Sequence, residues 1–435
     1  MTERFFVETL GCPKNQVDSD KLAGSLLAEG LEPAAALGDA DLVVVNTCAF
    51  IVSAREESIE AILDASRERR EGARLVVTGC LAARAGAALA TALPEVDSVV
   101  DIGLPVHVRG PSWRPRGERS VSIDFLDLPR PPARAPWAYV KVADGCDRRC
   151  GFCAIPLFRG PQRSRPMAGI LAEIDALGAA EIVLVAQDLA SYGRDLSQNG
   201  TLIDLAAAAA ARVLRLRLLY LYPSSLDDRL VDAIVATGVP YFDLSLQHVS
   251  RPLLRRMRRF GSAETFLGRI EKIRSRAPEA ALRSSFILGY PGETETDHDA
   301  LLEFLRAADL DWAGFFTFSA EDGTYATTLK DNVPEPLALE RLRECAELQD
   351  AITARRRRAL VGAVTDVLVD RVGIGRSYRE APEIDGVIRL PVYCEPGTVC
   401  RVRIDAAAGP DLEGSLLDEV PGHVPRRAVP SGAPP

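Results

Sequence analysis

The chain has 435 residues, of which 47% are hydrophobic and 26% are charged, a balance typical of a globular protein with two or three domains. The sequence contains neither a run of about eighteen apolar residues nor a basic leader followed by an apolar one, so we expect no membrane span, no signal peptide and a cytoplasmic location. The formal net charge of −9 argues against a broad electrostatic grip on nucleic acid.

Strand-like and helix-like segments alternate over residues 1–104, which predicts an open parallel α/β domain. Hydrophobic runs predict strands at 4–10, 42–45, 75–77 and 99–100. The first helix should carry Leu22, Leu26 and Leu27, and Asp18 or Ser19 is the candidate residue to cap its start. A second helix should start near Ser53.

Cysteines follow the first three predicted strands, at Cys12, Cys48 and Cys80. Ligands of open parallel sheets bind outside the carboxyl ends of the strands, so these three thiols should share one rim. Cysteines that only pack would be scattered between strand interiors and helices. The pattern favours a cluster held by three cysteines.

The rest of the chain divides by composition and periodicity. Residues 105–136 are rich in proline and arginine and are predicted to be a linker or wrapping segment. Residues 137–357 alternate again and predict a partial (β/α)6 barrel, with strands at 139–142, 181–186, 216–221, 241–246, 283–288 and 313–318. A helix at 336–360 should end in a run of four arginines that complements its dipole, although contact with RNA is an alternative. Short strands over 358–424 predict a small all-β domain, and residues 425–435 should be a disordered tail.

A second group of cysteines, Cys146, Cys150 and Cys153, has C-x3-C-x2-C spacing directly after the first barrel strand. A zinc site normally uses four ligands in paired units, and a disulfide would leave one of these cysteines over. Thiolates on a short loop of this kind are suited to an iron–sulfur cluster. A cubane cluster held by three cysteines leaves one iron open for a cofactor or substrate.

Other polar groups and glycines follow barrel strands, where a cofactor would lie. Candidate cofactor contacts are Gln187, Asp188, Gly289 and Gly292, since glycines let a backbone approach a ligand closely. His248 could be a substrate contact or a hydrogen-bonded surface or rim histidine. Arg163 and Arg165 could pair with a carboxylate or cap the following helix.

The three-cysteine loop, with Phe152 just before its last cysteine, resembles the signature of the radical S-adenosylmethionine (SAM) enzymes. This resemblance implies that the Cys146, Cys150 and Cys153 cluster is a 4Fe-4S cluster whose open iron binds the amino and carboxylate groups of SAM. One-electron cleavage of SAM would give a 5′-deoxyadenosyl radical that takes hydrogen from an unactivated carbon.

The order of the three domains resembles that of the methylthiotransferases over nearly the whole chain. The matching stretches are GCPKNQVDSD (11–20), NTCAFIVSAREESIEAI (46–62), DGCDRRCGFCAIP (144–156), SLQHVS (245–250) and, in a TRAM-like terminal domain, GRSYREAPEIDG (375–386). Small departures occur at VDSD, AQDL and SLQH, and none of them touches a cysteine.

The resemblance implies two 4Fe-4S clusters, the second held by Cys12, Cys48 and Cys80 as sulfur carrier, and SAM as both radical source and methyl donor. It also implies an electron donor such as flavodoxin or ferredoxin and a sulfur source. These stretches look like the branch that modifies the β-carbon of an aspartate in ribosomal protein uS12, rather than the branch that modifies adenosine in tRNA.

Charge provides a separate check on the branch. Residues 363–419 contain eleven Asp and Glu against six Arg and no Lys, a net charge of −5. A module that holds tRNA phosphates should be basic, whereas an acidic one suits a basic ribosomal protein. An electron carrier with two clusters is the alternative from a different class, and it would need no barrel.

Overall fold

The computed structural model describes residues 2–104, 106, 113–114 (backbone), 125–197, 200–390 and 394–417. Most of the predicted 105–136 linker and the predicted tail at 425–435 lie outside these residues. No helix in the described ranges is long and apolar enough to cross a membrane.

The N-terminal domain is a parallel sheet flanked by helices, as predicted. Its strands are Arg4–Thr9 (β1), Glu32–Pro33 (β2), Leu42–Thr47 (β3), Arg74–Gly79 (β4), Ser98–Val100 (β5) and Trp113–Arg114 (β6), in the order β2-β1-β3-β4-β5-β6. Its helices are Pro13–Ala28 (α1), Val52–Glu68 (α2) and Cys80–Ala92 (α3). The sixth strand comes from the segment predicted to be a linker, so part of that segment belongs to this sheet.

The start of helix α1 differs from the prediction. The helix begins at Pro13, with Cys12 in the extended N-cap position, so Asp18 and Ser19 lie inside it and are buried. Proline is favoured in the first turn because it has no amide hydrogen to leave unpaired there. A side-chain cap was therefore not needed. Helix α2 likewise begins at Val52, one residue before the predicted Ser53.

The central domain is an open barrel whose six main strands lie within three residues of the predicted bounds. Its strands are Trp137–Lys141 (β7), Ala143–Asp144 (β8), Arg163–Ser164 (β9), Glu181–Val185 (β10), Arg215–Leu218 (β11), Tyr241–Gln247 (β12), Ala281–Leu288 (β13) and Trp312–Thr317 (β14). Two parallel three-stranded sheets, β11-β10-β7 and β12-β13-β14, are joined by a bridge between Leu221 and Leu244.

Helices cover the outside of this barrel. The covering helices are Met167–Leu177 (α5), Leu202–Ala210 (α6), Asp228–Ala236 (α7), Arg251–Arg256 (α8), Ala263–Arg276 (α9), Glu295–Ala308 (α10) and Glu335–Arg358 (α11), whereas the short helix Ile155–Arg159 (α4) packs against α3 of the N-terminal domain. Alternate strand residues, such as Val140 and Leu184, pack outward against the helices, while Tyr139 and Val183 face inward. The alternation follows from the two-residue period of a strand.

The C-terminal domain is a closed five-stranded barrel. Its strands are Val364–Arg371 (β15), Ile374–Arg376 (β16), Ile388–Arg389 (β17), Val399–Ala408 (β18) and Asp411–Leu416 (β19). The sequence predicted three of them. It missed β16 and β19, because glycines at 373, 375 and 414 interrupt the hydrophobic pattern there.

The segment 376–385, here called the base segment, closes the amino-terminal end of the central barrel. Arg376 pairs with Glu181 at 2.9 Å, the Tyr139 hydroxyl donates to the Pro382 carbonyl at 3.1 Å, and the Trp312 indole donates to the Arg379 carbonyl at 2.9 Å. The GRSYREAPEIDG stretch is therefore largely explained by packing beneath the barrel.

The arginine run at the end of α11 is only partly a solvated helix end, since Arg355 and Arg358 are exposed while the other two arginines are paired and less accessible. Arg356 pairs with Asp309 and Asp311, each at 2.9 Å, and buried Arg357 pairs with Glu380 of the base segment. Carboxylates of the barrel and the terminal domain thus pair with Arg356 and Arg357, and contact with RNA is not needed to explain these two charges.

Candidate functional site

Each of the two cysteine groups begins with a glycine turn. Gly11, Gly79 and Gly145 directly precede Cys12, Cys80 and Cys146, and all three have φ between +78° and +95°. Side chains rarely adopt this conformation. A Cβ at Gly79 would also lie 2.4 Å from Asn46 Oδ1, and one at Gly145 would lie 2.1 Å from the Pro161 carbonyl oxygen.

The structure brings Cys12, Cys48 and Cys80 to one rim of the N-terminal sheet, as the sequence predicted. A Cβ on Gly11, next to Cys12, would lie 2.8 Å from the Cys48 sulfur. Burial raises the pKa of Cys48 to about 11, and the neighbouring Cys80 and Cys12 thiols also raise it. We name these three residues the auxiliary set.

Positive charge lies beside two thiols of the auxiliary set. Burial favours the neutral Cys12 thiol, yet the charge of Lys14 and the amide of Asn15 outweigh it and lower the Cys12 pKa. Arg159 donates a hydrogen bond to the Cys80 sulfur at 3.1 Å, although burial still keeps the Cys80 pKa raised. These positive groups are suited to stabilise thiolates, the form that binds iron.

The second group, here called the radical set, comprises Cys146, Cys150 and Cys153 on the loop after β7. The Cys153 amide donates to the Cys150 carbonyl at 3.2 Å. Between them, Gly151 donates to the Met257 carbonyl and accepts from the Ala326 amide, both at 2.8 Å. Burial raises the pKa of Cys146 to about 11 and that of Cys153 to about 12.

Two arginines support the radical set. Arg259 donates a hydrogen bond to the Cys150 sulfur at 3.2 Å. Arg148 lies on the cysteine loop and donates to Asp188 at 2.6 Å. Both guanidinium groups stack on the ring of Tyr222, at 4.3 and 4.0 Å from its centroid. The loop is thereby tied to the segments that follow two barrel strands, β10 and β11.

The donor sets fit iron–sulfur clusters better than single metal ions. In the described part of the chain, no three His, Cys, Asp or Glu side chains are arranged to hold one ion. Cysteines of a cubane cluster bind different irons, so their sulfurs lie farther apart than the ligands of one ion. Each set supplies three thiols and no carboxylate, which suits iron–sulfur chemistry.

Two predicted SAM contacts carry buried oxygens without a partner among the described residues. Gln187 donates to Asp144 at 3.0 Å, which leaves its Oε1 unpaired, and Asp188 Oδ1 is also unpaired. Unpaired buried acceptors are costly, so a bound donor such as an ammonium group would stabilise both. Phe152 is half-buried against the barrel core.

Packing within the protein is enough to explain the two glycines after β13, without a bound ligand. A Cβ on Gly289 would lie 2.6 Å from the Ala338 Cβ, and one on Gly292 would lie 1.5 Å from Arg256 Nη1. Their role in cofactor binding stays a prediction. Between them, Tyr290 packs against Gly151 of the cysteine loop.

Of the residues left open, His248 is completely buried, which excludes a surface histidine. Its Nδ1 accepts from the Ser250 amide at 3.1 Å, and burial lowers its pKa to about 4. Arg165 is buried and pairs with Glu173 at 2.6 Å, as the carboxylate alternative predicted.

Helix α1 lies across the carboxyl-terminal mouth of the barrel and brings the two sets together. Val17 packs among the inward-facing barrel residues, Lys21 pairs with Glu173 at 3.0 Å, and Asp18 contacts Lys141 and Arg159. These three positions of α1 recur at helical spacing on one face.

A buried charge network connects the two sets, and its members were missed by the sequence analysis. Arg159 reaches Asp18 at 2.8 Å and Asp144 at 3.3 Å, while its other nitrogen contacts Cys80. Burial would raise the pKa of Asp144, but the charges of Lys141 and Arg159 outweigh it and hold that pKa well below its usual range. The only sequence signal was position, since Asp144 and Arg159 flank the radical set.

Family models match each domain. "Uncharacterized protein family UPF0004" matches residues 4–101, "Radical SAM superfamily" matches 140–305 and "TRAM domain" matches 361–417. A solved radical SAM methyltransferase from Kitasatospora setae, TsrM, is 17% identical, with a TM-score of 0.49 over 72% of this chain and 73% of its own. That structural similarity is too weak to support an argument.

Curated relatives cover nearly the whole chain. A protein of Desulforudis audaxviator is 42% identical over 96% of this chain and 98% of its own length. Relatives from Acidothermus cellulolyticus (42% identical, 98% of this chain, 97% of its own) and Anaeromyxobacter (39%, 100% and 98%) are as similar. All three bear the name ribosomal protein uS12 methylthiotransferase RimO. At this identity and coverage, the chain belongs to the RimO family of radical SAM methylthiotransferases.

Proposed function

We infer that this protein is a radical SAM methylthiotransferase that acts on ribosomal protein uS12, and we propose that it attaches a methylthio group to the β-carbon of an aspartate. The names of the full-length relatives support the substrate. The observation that supports the reaction is the meeting of two three-cysteine sets at one interface, linked by Arg159.

The cofactors we propose are two 4Fe-4S clusters and SAM, which supply the one-electron chemistry that breaks an unactivated carbon–hydrogen bond, the sulfur and the methyl group. Cys146, Cys150 and Cys153 would hold the first cluster, and Cys12, Cys48 and Cys80 would hold the second. Gln187 and Asp188 would accept hydrogen bonds from the amino group of SAM.

The protein's own residues orient these groups and keep water out. Helix α1 covers the barrel mouth with Val17 and Asp18, both nearly fully buried. Arg159 and Arg259 each donate to one cysteine sulfur, which fixes the direction of that side chain. Shielding from water prevents side reactions of radical species. An electron donor such as flavodoxin or ferredoxin and a sulfur source complete the proposal.

Charge supports the choice of a protein substrate less strongly than the sequence count suggested. Two of the eleven acidic residues, Glu380 and Asp385, are fully buried and pair with Arg357 and Arg283 of the barrel domain. The exposed face of the terminal domain is therefore less acidic than its composition. The choice of uS12 rather than tRNA as substrate therefore depends mainly on the names of the relatives.

Mass spectrometry after turnover tests the proposed function. Reconstituted protein, SAM and a reductant are incubated with purified uS12 and, separately, with tRNA. We expect a gain of about 46 Da, the mass of one CH2S unit, on an aspartate of uS12 and none on tRNA. A gain on tRNA alone would overturn the choice of substrate, and no gain on either would favour an electron carrier.

A further inference from the structure

Lys14, in the first turn of α1, lies at the barrel mouth beside the auxiliary set. Its Nζ is 3.3 Å from the centroid of the Tyr220 ring. Tyr220 lies two residues after the end of β11, next to the inward-facing Leu219. Val17, one turn later on the same face, is fully buried in the barrel interior. Lys14 therefore extends from the rim that carries Cys12 towards the inside of the barrel.

The charge of Lys14 is not paired with any carboxylate that the structure describes; its ammonium group lies over the Tyr220 ring, and its charge lowers the pKa of the Cys12 thiol. The two neighbouring buried lysines differ. Lys21 pairs with Glu173, and Lys141 pairs with Asp18 and Asp144. An ammonium group at a mouth between two domains, without a carboxylate partner among the described residues, is suited to bind an anionic group of a ligand.

Two other cations near the mouth are already paired with carboxylates, Arg148 with Asp188 and Arg159 with Asp18 and Asp144. Arg259 has no carboxylate partner among the described residues, but it already donates to the Cys150 sulfur and to the Ser245 carbonyl. Lys14 is half-buried, so a bound carboxylate would reach it while remaining partly shielded from water.

Tyr220 holds Lys14 in this place. Its backbone has φ of +65°, which is uncommon for a residue other than glycine, and its amide donates to Asp243 at 2.9 Å. The ring face is electron-rich and attracts the ammonium group without neutralising it. The Lys14 ammonium group is thus held in place, yet its charge can still pair with an anion.

We propose that Lys14 binds the side-chain carboxylate of the substrate aspartate and makes the site selective for an anionic side chain. This inference rests on the proposed function. The β-carbon of aspartate is bonded to the carboxylate carbon, so a cation that holds the carboxylate near Cys12 also places the β-carbon near the auxiliary set. Positioning of this kind lowers the entropic cost of the reaction.

The test compares two variants with two forms of uS12. Lys14→Met removes the charge at similar length, and Lys14→Arg is the matched control that keeps it. The substrate is uS12 with either the native aspartate or asparagine at the modified position. Affinity is measured by calorimetry on reconstituted protein without reductant, so that turnover does not interfere. Iron content and thermal unfolding establish that each variant is folded and loaded.

We expect wild type and Lys14→Arg to bind the aspartate form about tenfold more tightly than the asparagine form, a typical effect of one charge-assisted hydrogen bond. Lys14→Met should bind both forms with the weaker affinity. If Lys14→Met keeps the preference for aspartate while wild type modifies uS12, the role of Lys14 is wrong and the proposed function stands. If wild type neither binds nor modifies uS12, both fail.

Discussion

Arg159 of the barrel domain donates a hydrogen bond to the sulfur of Cys80 in the N-terminal domain, with 3.1 Å between Nη2 and Sγ. The same guanidinium group pairs with Asp144, two residues before Cys146. One side chain therefore contacts a member of the auxiliary set and the base of the loop that carries the radical set. The two proposed clusters are coupled through a single buried cation.

Replacing Arg159 should change the auxiliary cluster selectively. Hydrogen bonds to cysteine sulfurs raise the reduction potential of iron–sulfur clusters, so Arg159→Met should lower it. The measurement is a redox titration followed by electron paramagnetic resonance in a Cys153→Ala background, where only the auxiliary cluster contributes and the bond from Arg259 to Cys150 can still form. Arg259→Met, which removes the equivalent bond to the other set, is the control and should leave this potential unchanged. An unaltered reduction potential in Arg159→Met would show that the hydrogen bond from Arg159 to Cys80 does not influence the auxiliary cluster.

Arg159→Met should also destabilise the fold, because Asp18 and Asp144 lose a buried partner. Breaking one side of a buried ion pair typically costs about 3–5 kcal/mol. Arg159→Lys keeps the charge and should recover part of this loss. Equal urea midpoints for wild type and Arg159→Met would show that Lys141 alone neutralises both carboxylates.

Iron content should separate ligands from structural thiols. Cys48→Ala should reduce the iron of reconstituted protein from about eight to about four per chain. Cys345→Ala is the matched control, since Cys345 is also fully buried but lies in the barrel core. Retention of about eight irons by Cys48→Ala would exclude Cys48 as a ligand.

The base segment should be essential for the stability of the barrel. Arg376 is buried and pairs with Glu181 and Asp370, so Arg376→Met should cost about 3–5 kcal/mol. Arg389 pairs with Asp411 on the surface of the same domain, and Arg389→Met should cost less than about 1 kcal/mol. Chemical denaturation of both variants gives the comparison. A similar loss of unfolding free energy in both variants would show that the base segment does not stabilise the barrel more than a surface ion pair does.

His248 should make the protein less stable in mild acid. Its pKa is lowered from 6.5 to about 4 by burial, so the unfolded chain binds a proton between these values while the folded chain does not. Stability is therefore full above pH 6.5 and falls as the pH drops towards 4, by about 3 kcal/mol from this group. His248→Asn, which keeps an acceptor for the Ser250 amide, should have a shallower pH dependence in denaturant titrations. An unchanged slope would contradict this.

Local sequence patterns predicted the elements better than the contacts between domains. Short segments rich in apolar residues, which alternate with helical ones, located all six main barrel strands to within three residues. The rule that ligands of parallel sheets bind at the carboxyl ends of the strands predicted that Cys12, Cys48 and Cys80 share one rim of the sheet. Their role as ligands stays a prediction.

Contacts across long sequence separations could not be predicted in this way. The bond between Arg159 and Cys80 and the pair of Arg376 with Glu181 join residues that are distant in sequence and lie in different domains. The hydrophobic periodicity of a sequence does not indicate which distant residues form such pairs. The predicted start of α1 was wrong for a local reason, because the helix begins at Pro13 without a side-chain cap.

The central claim is that the two cysteine sets act in sequence on one substrate. It is tested most directly by measuring 5′-deoxyadenosine and modified uS12 in the same reaction for wild type and for a variant with Cys12, Cys48 and Cys80 all replaced by alanine. We predict that the variant still forms 5′-deoxyadenosine but yields no methylthio product on uS12. Methylthio product from this variant would contradict the account, because sulfur would then have reached the substrate without the auxiliary set.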